Sequence, residues 1–124
     1  MEIHKSAEDY LETILKLRQT NGSVRSVDVA EAMHFSKPSV SVAMKKLRES
    51  GHVIMEDSGL LTLTESGEAI AVRIYERHRI LSRMLMALGV EEETAAEEAC
   101  QIEHVISDST FEKIKRHLQE KLGE

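Results

Sequence analysis

With 124 residues, 41% of them hydrophobic and 31% charged, the chain is sized for one compact domain or two small lobes sharing a core, and is too short for a large enzyme. Aromatic residues make up 3% and tryptophan is absent, so an interior must be assembled from Leu, Ile, Val, Met and Ala, which favours packed helices. The net charge of −6 argues against a nucleic-acid partner until its distribution is considered: residues 34–55 carry Lys37, Lys45, Lys46 and Arg48 against Glu49 alone, whereas residues 91–108 carry seven acids and neither lysine nor arginine.

The first residues, Met1-Glu2-Ile3-His4-Lys5, lack the apolar stretch of a secretory signal, and no run approaches the roughly 20 apolar residues of a membrane span, so a cytoplasmic protein is expected. Ala7, Tyr10, Leu11, Ile14 and Leu15 recur at helical spacing; Ser6-x-x-Asp9 predicts a capping box at the start of this first helix, and Asn21-Gly22 its end. Val27, Ala30 and Met33 predict a short second helix and His34-Phe35-Ser36 a turn. Val40, Ala43, Met44 and Leu47 form the inward stripe of a third helix that runs to Ser50-Gly51. Two short helices joined by a tight turn make a helix-turn-helix. Val53-Ile54-Met55 and Leu60-Leu61-Thr62-Leu63, around Glu56-Asp57-Ser58-Gly59, then predict a β-hairpin, the wing of a winged helix.

From Thr64 the pattern is helical again, with Ile70, Ile74, His78, Leu81, Leu85 and Leu88 on one face of a helix about 25 residues long that Gly89 stops. Residues 92–107 predict a fifth helix with Ala95, Ala99, Ile102 and Ile106 inward, and 109–122 a sixth with Phe111, Ile114, Leu118 and Leu122 inward. Little else covers these later stripes, so they are expected to pack against a second subunit. The fold class is therefore mainly α: an N-terminal winged helix-turn-helix with a small β-hairpin wing, residues 1–63, followed by a helical region, residues 64–124.

On the third helix the inward stripe leaves Ser39, Ser41, Val42, Lys45 and Lys46 facing out, with Ser36, Lys37 and Pro38 at its N-terminus. Such a helix can enter a major groove, with N–H groups and hydroxyls meeting phosphate and base edges and lysines holding the backbone. The plainer reading is a solvated helix with ordinary lysines; the turn, the wing and the local basic excess together favour double-stranded DNA.

Cys100, Glu103 and His104 lie at i, i+3 and i+4, which puts a thiolate, a carboxylate and an imidazole along one strip of a helix. Asp9 and Glu12 repeat the i, i+3 spacing on the first helix, and His78 sits on an otherwise apolar face. Folded together, these six would offer a transition-metal ion N, O and S donors. Each has a plainer explanation: a small core cysteine, a core histidine bonded to a carbonyl, a capping Asp9, a surface Glu103. On spacing alone both readings stand.

Glu8-Asp9-Tyr10-Leu11-Glu12-Thr13-Ile14, Ser36-Lys37-Pro38-Ser39-Val40-Ser41, Leu63-Thr64-Glu65-Ser66-Gly67, Arg77-His78-Arg79 and, most specifically, Ala99-Cys100-Gln101-Ile102-Glu103-His104-Val105-Ile106-Ser107 resemble the diphtheria toxin repressor family of metal-dependent regulators, which includes the manganese transport regulators. The resemblance runs from about Ser6 to the end of the chain. It implies a homodimeric repressor of metal-ion homeostasis that binds operator DNA when a metal orders the first helix against the dimerisation helices. It implies metal-liganding roles for Asp9, Glu12, His78, Cys100, Glu103 and His104, with residues 64–124 as the metal-binding and dimerisation domain. The cofactor implied is Mn²⁺ or Fe²⁺, with Co²⁺, Zn²⁺ or Cd²⁺ as substitutes in vitro. The barrel domain that many iron-responsive members append has no counterpart here, as in the manganese branch, yet Cys100 stands where that branch often carries Glu, which resembles the iron branch. Ser82 and Ala96 cannot supply the carboxylate and imidazole of the iron branch's second site, so one full-strength site is expected, although the manganese branch can hold two neighbouring ions with the same side chains.

Two other readings stay open on the residues. One is a metal-independent winged-helix regulator with Cys100 as a redox sensor, which leaves Asp9, Glu12 and His104 unexplained. The other is a small metalloenzyme; the chain has no His-Glu-x-x-His and no phosphate-cradling glycine loop, so no catalysis is expected.

Overall fold

A computed structural model describes residues 5–122, with side chains to Lys121. The chain forms two compact units that divide after Val72.

The first unit holds α1 (Lys5–Asn21), α2 (Ser26–Met33), α3 (Lys37–Glu49), β1 (Val53–Met55), β2 (Leu61–Leu63) and the first two turns of α4 (Glu65–Ala87). Tyr10, Leu11, Ile14 and Leu15 of α1 are buried, as are Val29 and Ala30 of α2 and Val40, Met44 and Leu47 of α3. The capping box predicted at Ser6 is not formed. α1 is already helical at Lys5, and the Asp9 carboxylate instead takes an ion pair from Lys5 Nζ, one turn back, at 3.1 Å. Of the residues that marked the second helix, Ala30 is buried while Val27 is 43% exposed; α2 has only two turns to offer one stripe, and its phase buries Val29 beside Ala30. His34 ends α2 in the left-handed region with φ 59°, and the Phe35 N–H reaches back to the Ala30 carbonyl at 3.0 Å. The helix-turn-helix angle is set there, with the Phe35 ring edge-on to Tyr10 at 6.1 Å.

The hairpin is antiparallel, with Val53 opposite Leu63, Ile54 opposite Thr62 and Met55 opposite Leu61. Arg25 forms an isolated bridge to Leu60, and its guanidinium donates to the Ser58 carbonyl at the hairpin tip, so the N-terminus of α2 braces the wing. Gly67 is irreplaceable on steric grounds. A Cβ there would lie 2.0 Å from the His52 carbonyl oxygen, which is how closely α4 passes the chain leading into β1.

The second unit comprises the rest of α4 with α5 (Glu92–Ile102) and α6 (Asp108–Leu122). Ile80, Phe111 and Leu118 form its core cluster, flanked by Met84, Ile106 and Ile114. Two boundaries differ from expectation. α4 stops at Ala87, which leaves Leu88 in the turn and 75% exposed, and Gly89 takes φ 102°. α5 stops at Ile102, so Glu103 is its C-cap and His104 lies in the following turn. The side chain of Leu122 lies outside the described residues. Among the described residues no helix is long and apolar enough to cross a membrane.

Candidate metal centre and nucleic-acid interface

Ser36 caps α3: its hydroxyl oxygen accepts from the Ser39 N–H at 3.3 Å, and its O–H donates to Ser39 Oγ at 2.8 Å. Pro38 sits in the first turn, where its missing N–H leaves no helical bond unmade. Because Val40, Met44 and Leu47 turn inward, Ser36, Lys37, Pro38, Ser39, Ser41, Val42, Lys45 and Lys46 are all exposed, and they line one face and the N-terminus of a single helix. Val42, at 56% exposure, is an apolar side chain on that otherwise polar face. The arrangement presents cations and hydroxyls around a helix N-terminus, the chemistry a phosphate backbone and base edges require.

The second unit gathers four of the six predicted metal ligands. One donor atom from each of Cys100, Glu103 and His104 lies within 4.8 Å of the other two. His78, from α4, reaches the same carboxylate: its Nδ1 is 3.0 Å from Glu103 Oε2. Although α5 ends at Ile102, Glu103 keeps helical dihedrals (φ −57°, ψ −23°), so the i, i+3 alignment with Cys100 survives the helix end. Glu103 is wholly buried. Its Oε1 has no hydrogen-bond partner among the described residues, and His104 Nε2 stands 3.4 Å away without forming one. A fully desolvated carboxylate oxygen left unbonded, surrounded by imidazole and thiol donors, fits a divalent cation. Cys100 is partly buried and in no disulfide.

Asp9 and Glu12 belong to the first unit, one turn apart on α1. Glu12 is buried, and Lys16 Nζ lies 3.4 Å from its Oε2.

Arg77 is a residue of this region that the sequence reading named only within the Arg77-His78-Arg79 stretch and gave no role. It is 3% exposed, and its Nη1 donates to the backbone carbonyls of Glu103 at 3.2 Å and Ile106 at 2.7 Å. Its Nη2 pairs with Asp108, and its guanidinium carbon lies 5.3 Å from the centre of the Phe111 ring. The signal was available: Ile70, Ile74, Arg77, Leu81 and Met84 follow helical spacing, so an arginine interrupts the inward stripe of α4.

A family profile described as the iron dependent repressor, N-terminal DNA binding domain, matches residues 2–60, and one described as the iron dependent repressor, metal binding and dimerisation domain, matches residues 64–121. An uncharacterised helix-turn-helix transcriptional regulator of Methanocaldococcus jannaschii is 36% identical over 113 residues, covering 90% of each chain. The transcriptional regulator MntR of Bacillus subtilis is 35% identical over 109 residues, covering 88% of this chain and 77% of that relative. The solved structure of a manganese-dependent transcriptional repressor in complex with manganese superposes with a TM-score of 0.81 at 33% identity, over 90% of this chain and 52% of that one. The chain thus spans about half the length of that solved neighbour.

Proposed function

Because the chain belongs to the iron-dependent repressor family, that of the diphtheria toxin repressor, we propose that it is a homodimeric, cytoplasmic repressor of metal-ion homeostasis whose grip on operator DNA requires bound Mn²⁺ or Fe²⁺. The observation that carries this reading is the wholly buried Glu103 carboxylate, which has His78, Cys100 and His104 around it and one oxygen without a hydrogen bond. Residues 1–63 would read DNA through α3, and residues 64–124 would bind metal and pair the subunits. His78, Cys100, Glu103 and His104 would hold the ion, with Asp9 and Glu12 of α1 adding two hard oxygen donors, as the family resemblance implies. When bound, the ion supplies a compensating divalent charge and favours whichever arrangement of the chain satisfies all its ligands. Lys37, Lys45 and Lys46 would meet phosphates, while Ser36, Pro38, Ser39, Ser41 and Val42 face the bases.

The donor set is mixed. Carboxylates suit Mn²⁺, a thiolate suits Fe²⁺, Co²⁺ or Zn²⁺, and intrinsic affinity ranks Mn²⁺ weakest, so selectivity would rest on geometry and supply. The test uses a duplex selected from a random pool by the metal-loaded protein, with fluorescence anisotropy read as Mn²⁺, Fe²⁺, Co²⁺ or Zn²⁺ is added and then chelated. Binding should rise with metal and fall on chelation, and His78→Ala or Glu103→Ala should remove at least ten-fold of the metal response while circular dichroism stays helical. Chelator-sensitive binding retained in both variants would move the site elsewhere, and chelator-insensitive binding by wild type would favour the metal-independent regulator.

A further inference from the structure

We propose that Arg77 is the positioning residue of the metal centre: it clamps the turn that carries Glu103 and His104 onto α4, so the ligands are held in place before any ion arrives. The inference rests on the metal-centre reading above. Its basis is that two consecutive residues of α4 grip Glu103 in different ways, His78 at the carboxylate and Arg77 at the backbone carbonyl. An ion competes with His78 for that carboxylate, so the imidazole contact cannot by itself hold Glu103 both with and without metal. The carbonyl contact makes no demand on the carboxylate and persists in either state.

Four features separate this from a generic buried arginine. Nη1 captures two carbonyls, those of Glu103 and Ile106, on either side of His104, so the whole turn is spanned by one planar group. Those carbonyls follow the C-terminus of α5, where a cation is also favoured by the helix dipole. Nη2 holds Asp108, the first residue of α6, so one guanidinium ties the end of one helix to the start of the next. Phe111 then covers the guanidinium, with Arg77 left 3% exposed. Apart from this clamp, the local hydrogen bonds given for segment 103–107 run from the Glu103 N–H to Ala99, from the Val105 and Ile106 N–H groups to Ile102, and between Ser107 and both Thr110 and Phe111 of α6, so those that hold Glu103 and His104 lie on the α5 side alone. A ligand-bearing turn of that kind must be ordered at the moment of binding, and the ordering reduces affinity.

The experiment measures Mn²⁺ and Co²⁺ affinity by calorimetry and Co²⁺ absorbance, and amide exchange of residues 103–107 in metal-free protein. The variants are Arg77→Met, which keeps the alkyl stem under Phe111, and Asp108→Asn, whose side chain is 83% exposed and tolerates change. Arg77→Met should bind both ions at least ten-fold more weakly and exchange its turn amides faster before metal is added, with Asp108→Asn intermediate in both readouts. Should Arg77→Met fail to fold, Arg77→Lys carries the same expectation, because an ammonium cannot span two carbonyls and a carboxylate in one plane. Wild-type metal affinity in a folded Arg77 variant overturns the proposal, and so does weakened affinity with unchanged exchange in the turn. Failure of wild type to bind either ion would sink the metal-centre reading itself, an outcome distinct from both.

Discussion

A carboxylate removed from water costs several kcal/mol unless charge or hydrogen bonds compensate it, and Glu103 has a single hydrogen-bonding imidazole for its two buried oxygens. An ion would complete that compensation, so energetics as well as spacing support the ligand role proposed for Glu103. In the proposed site, Cys100 is the residue that would decide which ion binds. A thiolate transfers charge to soft or borderline metals, whereas a carboxylate does not, so Cys100→Glu should raise the response to Mn²⁺ relative to Co²⁺. Parallel titrations of wild type and variant, read by DNA affinity and by the sulfur-to-cobalt charge-transfer band, check this. The band should be present in wild type and absent in the variant. No band in wild type, with both metal curves unmoved by the substitution, would reduce Cys100 to a packing residue.

Elements succeed or fail as units, and the α1–α4 pairing within the first unit carries a measurable pH signature. Arg18 Nη1 lies 2.7 Å from Glu68 Oε1, and that hydrogen bond holds the Glu68 carboxyl below the usual glutamate range. A group depressed in the folded state contributes stability above its unfolded pKa, about 4.3, and loses it as pH falls through the lower folded value. The contribution is therefore full at neutral pH and lost in acid; both side chains are more than one-third exposed, so it is small. Thermal melts of Glu68→Gln should show a slightly lower midpoint at neutral pH and a smaller acid-side decline than wild type; an unchanged acid limb would mean the pair is not coupled to unfolding. Element type was legible in the chain because α3 and the wing follow local rules: a 3.6 stripe of Val40, Met44 and Leu47, a Ser36 cap, and short extended runs about a glycine. What escaped was set by tertiary contact. α5 ends at Ile102 with no local stop signal, and the carbonyls of Glu103 and Ile106 just beyond it are taken by a side chain 26 and 29 residues away. The clustering of Cys100, Glu103 and His104 was legible because they share one strip across that boundary, whereas Arg77 is defined by what it reaches and not by its neighbours.

Along the whole chain the charge is segregated, and that segregation would let a chain of net charge −6 bind DNA as proposed. Lys37, Lys45 and Lys46 lie exposed on one helix, while residues 91–108 carry seven acids and no lysine or arginine. One short helix per chain would read too few bases for specificity, so the proposed repressor would use two, and a two-fold pair of identical heads would match a palindromic operator with half-sites about one or two helical turns apart. The second unit leaves Met86, Leu88 and Val105 at 45%, 75% and 78% exposure, apolar surface that a subunit interface would use. We expect sedimentation of the metal-loaded protein to give a dimer, with and without a selected duplex, and a monomer in both conditions would overturn the paired-head arrangement. The salt dependence of the same complex tests the reading face. Each lysine that neutralises a phosphate contributes about 0.9 to the slope of log affinity against log salt, so Lys45→Ala should flatten the slope by about one unit per subunit while weakening cognate and scrambled duplexes alike. Slopes unchanged by replacing Lys37, Lys45 and Lys46 in turn would place the DNA on another surface, because no other exposed helix face in the first unit offers lysines around a serine-capped N-terminus among the described residues.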